Sequence, residues 1–203
     1  MNLFSHLYFA EKPLDNAFYT TGLLYPDLNR NKKKGVFPNE KFQEGVDEHN
    51  RSATLLHGQD WFHEAQYRLA EQHGEFPFKR KSVLYHWGME IAIDHFLLNE
   101  RNQLNFIRRA EQQLLDQQVT EFLAEHDLHA AGLVRLIVKK GRLKSYRSLP
   151  GCLMALKRSY DMITERYPKL YVPAKGELMT VVFRSQNEIE PRMKEIKALY
   201  GKI

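Results

Sequence analysis

Histidine and carboxylate side chains interrupt apolar, helix-like runs in the first half of this chain. His6 stands within MNLFSHLYFA, Asp27 follows GLLYP, and Asp94 stands within IAIDHFLL. Taking a carboxylate or an imidazole out of water is costly unless another group pairs with it. Such groups on several helices therefore indicate a bound cation or a catalytic cluster where those helices meet.

The hydrophobic pattern predicts helices along almost the whole chain. The only β-like run, Val181–Phe183, lies inside a helical pattern, and no segment alternates strictly enough to require a sheet. Three of the predicted helices are Ser82 to about Glu100, Asn105 to about Glu125, and Glu177 to about Leu199 with a bend at Pro191. We therefore expect one compact, multi-helix, all-α domain over residues 1–203.

Composition and charge narrow the class of protein. Apolar residues make up 43% of the 203 and charged residues 27%, which is enough for a core and argues against disorder. The net charge of +5 suits an acidic partner. The single cysteine, Cys152, excludes an internal disulfide and stands in an apolar setting that predicts a packed thiol. Without a signal peptide or an apolar run of about 20 residues, we expect a cytoplasmic protein.

The spacing of the ligand candidates places several of them on shared helix faces. His86, Glu90 and Asp94 are separated by four residues each, and His49 and His57 by eight. If the two helices pack together, imidazoles face carboxylates, a donor set that suits Mn, Fe or Zn better than Ca or Mg. A buried histidine–carboxylate pair that only joins two helices explains any one of these residues as well.

Four blocks of the sequence resemble the acyl carrier protein phosphodiesterases, bacterial hydrolases that remove the phosphopantetheine arm from holo acyl carrier protein. The blocks are Met1–Ala10, Gly22–Arg30, Gly45–His57 and Glu90–Leu97. The first block and Asp94-His95-Phe96-Leu97 carry the resemblance most specifically. It implies an HD-like helical core, since that family is similar to the HD-type metal-dependent phosphohydrolases.

The resemblance also implies a metal-dependent phosphodiesterase site with a divalent cation, for which we expect Mn²⁺. The expected metal ligands are Asp27, His49, His57, Glu90 and Asp94. His6, His95 and Arg51 are expected to be catalytic, and Arg30 to bind the substrate phosphate.

Some positions depart from the family pattern. Ala53 stands where the family has Asp, His57 replaces a second Asp, and Glu90 replaces a third. Alanine can neither bind a metal nor act as a base. Two alternatives therefore remain open: a hydrolase acting on another phosphoester, and a non-catalytic relative that binds an acidic protein or a ligand.

The expected partner is acyl carrier protein, which is small and acidic. Three basic stretches could steer it: Arg30–Lys34, Lys79–Lys81 and Lys139–Arg147. Solvated loops explain the same stretches. Nucleic acid is not expected, because Tyr146 beside Arg147 is the one aromatic residue within these basic stretches and no P-loop is present.

Overall fold

The computed structural model describes residues 3–29, 37–73, 78–100, 103–166 and 173–202, with only the backbone described for 78–81 and 162–166. All regular secondary structure within these ranges is helical, which confirms the all-α fold class. The α-helices are α1 (Leu3–Tyr8), α2 (Ala17–Leu28), α3 (Glu40–His57), α4 (Asp60–Glu71), α5 (Phe78–Leu98), α6 (Gln103–Leu114), α7 (Gln117–His126), α8 (Leu128–Lys139), α9 (Arg142–Ser145), α10 (Leu149–Arg166), α11 (Lys175–Ile189) and α12 (Met193–Leu199).

The helices form two compact units. The amino-terminal unit comprises Leu3–Leu55 and Glu100–Lys144, and the carboxy-terminal unit comprises Leu56–Asn99 and Ser145–Ile203 in their described parts. The expectation of a single domain stays a prediction. No helix in the described part of the chain is long and apolar enough to cross a bilayer.

In the amino-terminal unit, α2 lies at the centre of the helix packing. It packs against α1, α6, α7 and α8. Its first turn is capped by Asn16, whose side chain accepts a hydrogen bond from the backbone N–H of Tyr19 at 3.0 Å. Leu23 and Leu24 of α2 are fully buried, so this helix supplies apolar surface to the centre of the unit.

The single helix predicted from Asn105 to Glu125 is wrong, because the chain breaks between α6 and α7. The carboxylate of Asp116 accepts hydrogen bonds from the backbone N–H groups of Gln118 and Val119, at 2.9 and 3.3 Å. An aspartate that satisfies these N–H groups begins a new helix in place of continuing the previous one. The apolar periodicity runs through both helices and so conceals the break.

In the carboxy-terminal unit, α5 is the central helix, as its apolar sequence predicts. It packs against α4, α10 and α11. At Gly88 an added methyl group would collide with the side chains of Val181 and Ser185 on α11, so glycine permits the close packing of these two helices. A 3₁₀ turn at Glu190–Arg192 includes Pro191 and separates α11 from α12, so the predicted last helix is interrupted at the position where a bend is expected.

Candidate metal centre

A glycine contact between α2 and α3 positions the first group of candidate ligands. A methyl group on Gly22 would collide with the backbone carbonyl of Phe42, and one on Gly45 with the carbonyl of Tyr19. The two backbones therefore touch where neither residue has a side chain. One turn beyond Gly45, the Nδ1 atom of His49 lies 2.8 Å from the carbonyl oxygen of Leu23.

His6, Asp27 and His49 come together in the amino-terminal unit, and we call them the Asp27 group. One ligand atom from each residue lies within 4.8 Å of the others. The rings of His6 and His49 stack with their centroids 3.8 Å apart. His49 is buried, whereas His6 and Asp27 are half-buried. The residues come from α1, α2 and α3, so three segments distant in sequence supply one ligand each.

Hydrogen bonds fix the tautomers of the two imidazoles. A carbonyl oxygen can only accept, so the contact with Leu23 places the proton of His49 on Nδ1. Ser52 donates its hydroxyl proton to the carbonyl of His49 at 2.9 Å, so its oxygen accepts from Nδ1 of His6, also at 2.9 Å. In both histidines the lone pair is then on Nε2, as in a metal ligand whose other ring nitrogen is held by the surrounding protein.

Asp27 lies in the last turn of α2, where the helix dipole disfavours a negative charge. Its Oδ2 atom is inaccessible to solvent. A cation at this point would offset both the dipole and the loss of hydration. Two ligands of one ion at about 2.1 Å are at most about 4.2 Å apart, so small side-chain movements suffice to close the Asp27 group on a metal. The residues present therefore fit a divalent cation.

A second group, which we call the Glu90 group, forms in the carboxy-terminal unit. The Oε1 atom of Glu90 lies 3.1 Å from Nε2 of His57 and 3.3 Å from Nε2 of His86. One ligand atom from each of the three residues again lies within 4.8 Å of the others. Burial alone would raise the pKa of the Glu90 carboxyl, but nearby positive charge and the hydrogen bonds of His57 and His86 hold that pKa well below its usual range.

Asp94 and His95 lie next to each other on α5 but have different surroundings. Asp94 is completely buried, while His95 is half-buried and donates from Nδ1 to the carbonyl of Tyr146 at 2.7 Å. The thiol of Cys152 donates to the same carbonyl at 3.2 Å. Burial, reinforced by the charge of Asp94, raises the pKa of Cys152 to about 12, so the prediction of a packed thiol is confirmed.

Of the two arginines predicted for the site, the structure describes only Arg51, which was expected to be catalytic. Arg51 forms two hydrogen bonds with Glu48, at 2.7 and 3.0 Å, and an ion pair with Glu11 at 2.8 Å. Its guanidinium group is therefore already bound to carboxylates in this structure. Arg30 lies outside the described residues.

The predicted ligands are thus distributed over two groups. Asp27 and His49 belong to the first, and His57 and Glu90 to the second, while Asp94 belongs to neither. The binding of a single ion by all five expected ligands stays a prediction. His86 belongs to the second group although it was not among the expected ligands; its spacing of four residues from Glu90 had placed it on the same helix face.

Ser52 was missed, and its position three residues after His49 on α3 gave only a weak signal. The sequence could not show that the imidazole of His6 would approach it, because that contact joins residues 46 positions apart.

Comparison with known proteins gives one result that bears on function. The sequence matches the family model described as acyl carrier protein phosphodiesterase over residues 1–196 of 203. No curated protein and no solved structure gives a significant match to the chain. Because the family match spans nearly the whole sequence, the chain belongs to the acyl carrier protein phosphodiesterase family.

Proposed function

We propose that this chain is a divalent-metal-dependent phosphodiesterase that releases the phosphopantetheine arm from holo acyl carrier protein. The observation that carries the proposal is the Asp27 group. His6, Asp27 and His49 lie in three of the sequence blocks that resemble the family, and their ligand atoms lie within 4.8 Å of one another. Family membership supports the reaction class, and the group supports the use of a metal.

The donor set of the Asp27 group supports a choice among divalent ions. Two imidazoles and one carboxylate favour Mn²⁺, Fe²⁺ or Zn²⁺, because Ca²⁺ and Mg²⁺ prefer oxygen ligands. We propose Mn²⁺. Such an ion, when bound, lowers the pKa of a bound water and polarises a phosphoryl oxygen.

In this proposal the protein's own groups orient the ligands and handle protons. Ser52 holds the ring of His6, and the Leu23 carbonyl holds the ring of His49, so neither imidazole rotates freely. The contact of His95 with the Tyr146 carbonyl leaves its basic lone pair on Nε2, the atom that can accept or deliver a proton. We retain Asp94 as a proposed further ligand, because it stands at a ligand position of the family pattern.

Arg51 stays a proposed catalytic residue that stabilises charge on the phosphate, but its contacts with two carboxylates add a condition. Its guanidinium group must exchange contacts with Glu48 and Glu11 for contacts with the phosphoryl oxygens. A phosphodiester carries a negative charge, so the exchange preserves charge pairing. The arginine would then contribute only when substrate is bound.

Electrostatic attraction supports acyl carrier protein as the partner. The chain carries a net charge of +5, and Lys139 and Lys140 at the end of α8 are exposed. Attraction of this kind raises the rate of encounter with an acidic protein more than it raises affinity. We therefore propose that substitution of these lysines by glutamine lowers kcat/KM at low salt and leaves kcat unchanged.

The experiment is to incubate the chain with holo acyl carrier protein and Mn²⁺ and to follow the mass of the carrier protein. We expect conversion to the apo form, and Asp27→Asn should abolish it. His129→Asn, a substitution of an exposed histidine on α8, is the control and should retain full conversion. An unchanged carrier protein with Mn²⁺, Fe²⁺ and Zn²⁺ alike would contradict the proposal and favour a relative that binds without catalysis.

A further inference from the structure

The Glu90 group is built from residues that the family resemblance does not supply as such. His57 and Glu90 stand where the family has aspartates, and His86 lies outside the four matching blocks. The structure nevertheless brings the three side chains together. We propose that the Glu90 group is a second cation site, which binds a borderline transition-metal ion such as Zn²⁺ or Co²⁺ independently of the Asp27 group.

Helix geometry accounts for how the three ligands meet. His86 and Glu90 are four residues apart on α5, so both project from one face of that helix. His57 is the last residue of α3. Its Nε2 atom and that of His86 approach the same carboxylate oxygen, at 3.1 and 3.3 Å. Two imidazole nitrogens and one carboxylate oxygen form the three-protein-ligand set typical of zinc sites with an open coordination position.

The aromatic ring of Phe62 packs against both imidazoles of the Glu90 group. The ring of Phe62 is fully buried, and its centroid lies 5.4 Å from the rings of both His57 and His86. His63 donates from Nε2 to the carbonyl of His57 at 2.6 Å, which anchors the backbone at the end of α3. Ligands that are already oriented lose little conformational entropy when an ion binds, which favours affinity.

Exposure of the group allows an ion to enter. The side chain of Glu90 is 11% exposed, whereas those of His86 and His57 are 25% and 34% exposed. The carboxylate therefore lies at the inner side and the imidazoles reach the solvent. An ion can arrive from solvent and retain water as its remaining ligands without rearrangement of the core.

A hydrogen-bonded ion pair that merely joins α3 and α5 is the competing interpretation. In that case the imidazoles share protons with Glu90 and hold no metal. The two interpretations differ in the number of ions bound by the folded protein, which makes that number the quantity to measure.

The experiment is a Co²⁺ titration of the full chain after removal of metals, with the bound equivalents counted by equilibrium dialysis and the visible absorption of Co²⁺ recorded. If both groups bind, wild type takes up two equivalents, and His86→Asn and Asp27→Asn each lose a different one. The exposed-histidine control, His129→Asn, should bind as wild type does. Equal binding by His86→Asn and wild type would overturn the second site.

The design separates this inference from the proposed function. One equivalent that is lost in His86→Asn and kept in Asp27→Asn would support the second site and contradict a metal at the Asp27 group. One equivalent that is lost in Asp27→Asn and kept in His86→Asn would overturn the second site and leave the proposed function intact. Should His86→Asn fail to fold, His57→Gln and a Zn²⁺-induced rise in Tm provide the same comparison, and a rise in Tm equal to that of wild type would contradict the site.

Discussion

The hydroxyl of Ser52 donates to the carbonyl of His49, one turn earlier on α3, at 2.9 Å. Its oxygen is consequently the acceptor for Nδ1 of His6, also at 2.9 Å. One small side chain thus sets the tautomer of a ligand candidate on another helix. Metal sites commonly depend on such supporting contacts, because they orient the ligands before the ion arrives.

Ser52→Ala should therefore weaken metal binding at the Asp27 group while the protein stays folded. Loss of the acceptor frees the ring of His6, and we expect about 10–100-fold lower affinity for Mn²⁺. Thr54→Ala is the matched control, because Thr54 also donates from its hydroxyl to a backbone carbonyl of α3, that of Asn50, but on the exposed face. Equal affinity of the two variants, measured by calorimetry, would remove Ser52 from the account.

The close glycine contact between α2 and α3 should make the free energy of unfolding sensitive to substitution of Gly45. Gly45→Ala places a methyl group against the Tyr19 carbonyl, and we expect a loss of about 1–3 kcal/mol in the free energy of unfolding. Gly132→Ala is the control, since a methyl group there meets nothing within 4 Å. In the middle of a helix it should add up to about 1 kcal/mol. Urea unfolding measures both, and a neutral Gly45→Ala would show that the helices do not touch there.

Tyr19 makes the stability of the protein sensitive to alkaline pH. Burial, followed by the negative charge of Glu48, raises the pKa of its hydroxyl from 10.0 to about 12. The folded state therefore favours the neutral phenol, so this contribution is fully present below pH 10 and is lost between pH 10 and pH 12. Tyr19→Phe removes this titration, and its unfolding free energy should fall less than that of wild type over the same range. Parallel curves would contradict the assignment.

Cys152 should react slowly with thiol reagents in the native protein. Its side chain is fully buried, and its pKa of about 12 leaves little thiolate at pH 8. We expect labelling by a disulfide reagent to be slow in buffer and fast in urea, where the thiol is exposed. Fast labelling of the folded chain would show that α10 does not cover this residue.

Local sequence patterns predicted most of the helices but not every boundary. The apolar periodicity of α5 predicted both its helical structure and its central place. The break before α7 was not predicted, because the amphipathic pattern continues past Asp116 and the capping hydrogen bonds of this residue are visible only in the structure. The contacts of Arg51 could be predicted only in part. Its pairing with Glu48, three residues away, follows from helix spacing, whereas its contact with Glu11 does not.

The candidate site could be predicted only in part, because spacing shows which residues share a helix face but not which helices meet. Spacing along one helix predicted that His86 and Glu90 share a face, and they do. The meeting of His6 with Asp27 and His49 depends on how α1, α2 and α3 pack, which spacing within a single helix cannot specify. The family resemblance identified these three residues as functional, but the geometry that makes His6 a ligand candidate came from the structure.

The most direct test of the central claim is a titration of the metal-free chain with Mn²⁺, followed by the electron paramagnetic resonance signal of the free ion. If His6, Asp27 and His49 bind a divalent cation, wild type binds one equivalent more than Asp27→Asn, and Asp27→Asn also leaves holo acyl carrier protein uncleaved. Identical Mn²⁺ binding by the two proteins would contradict the account.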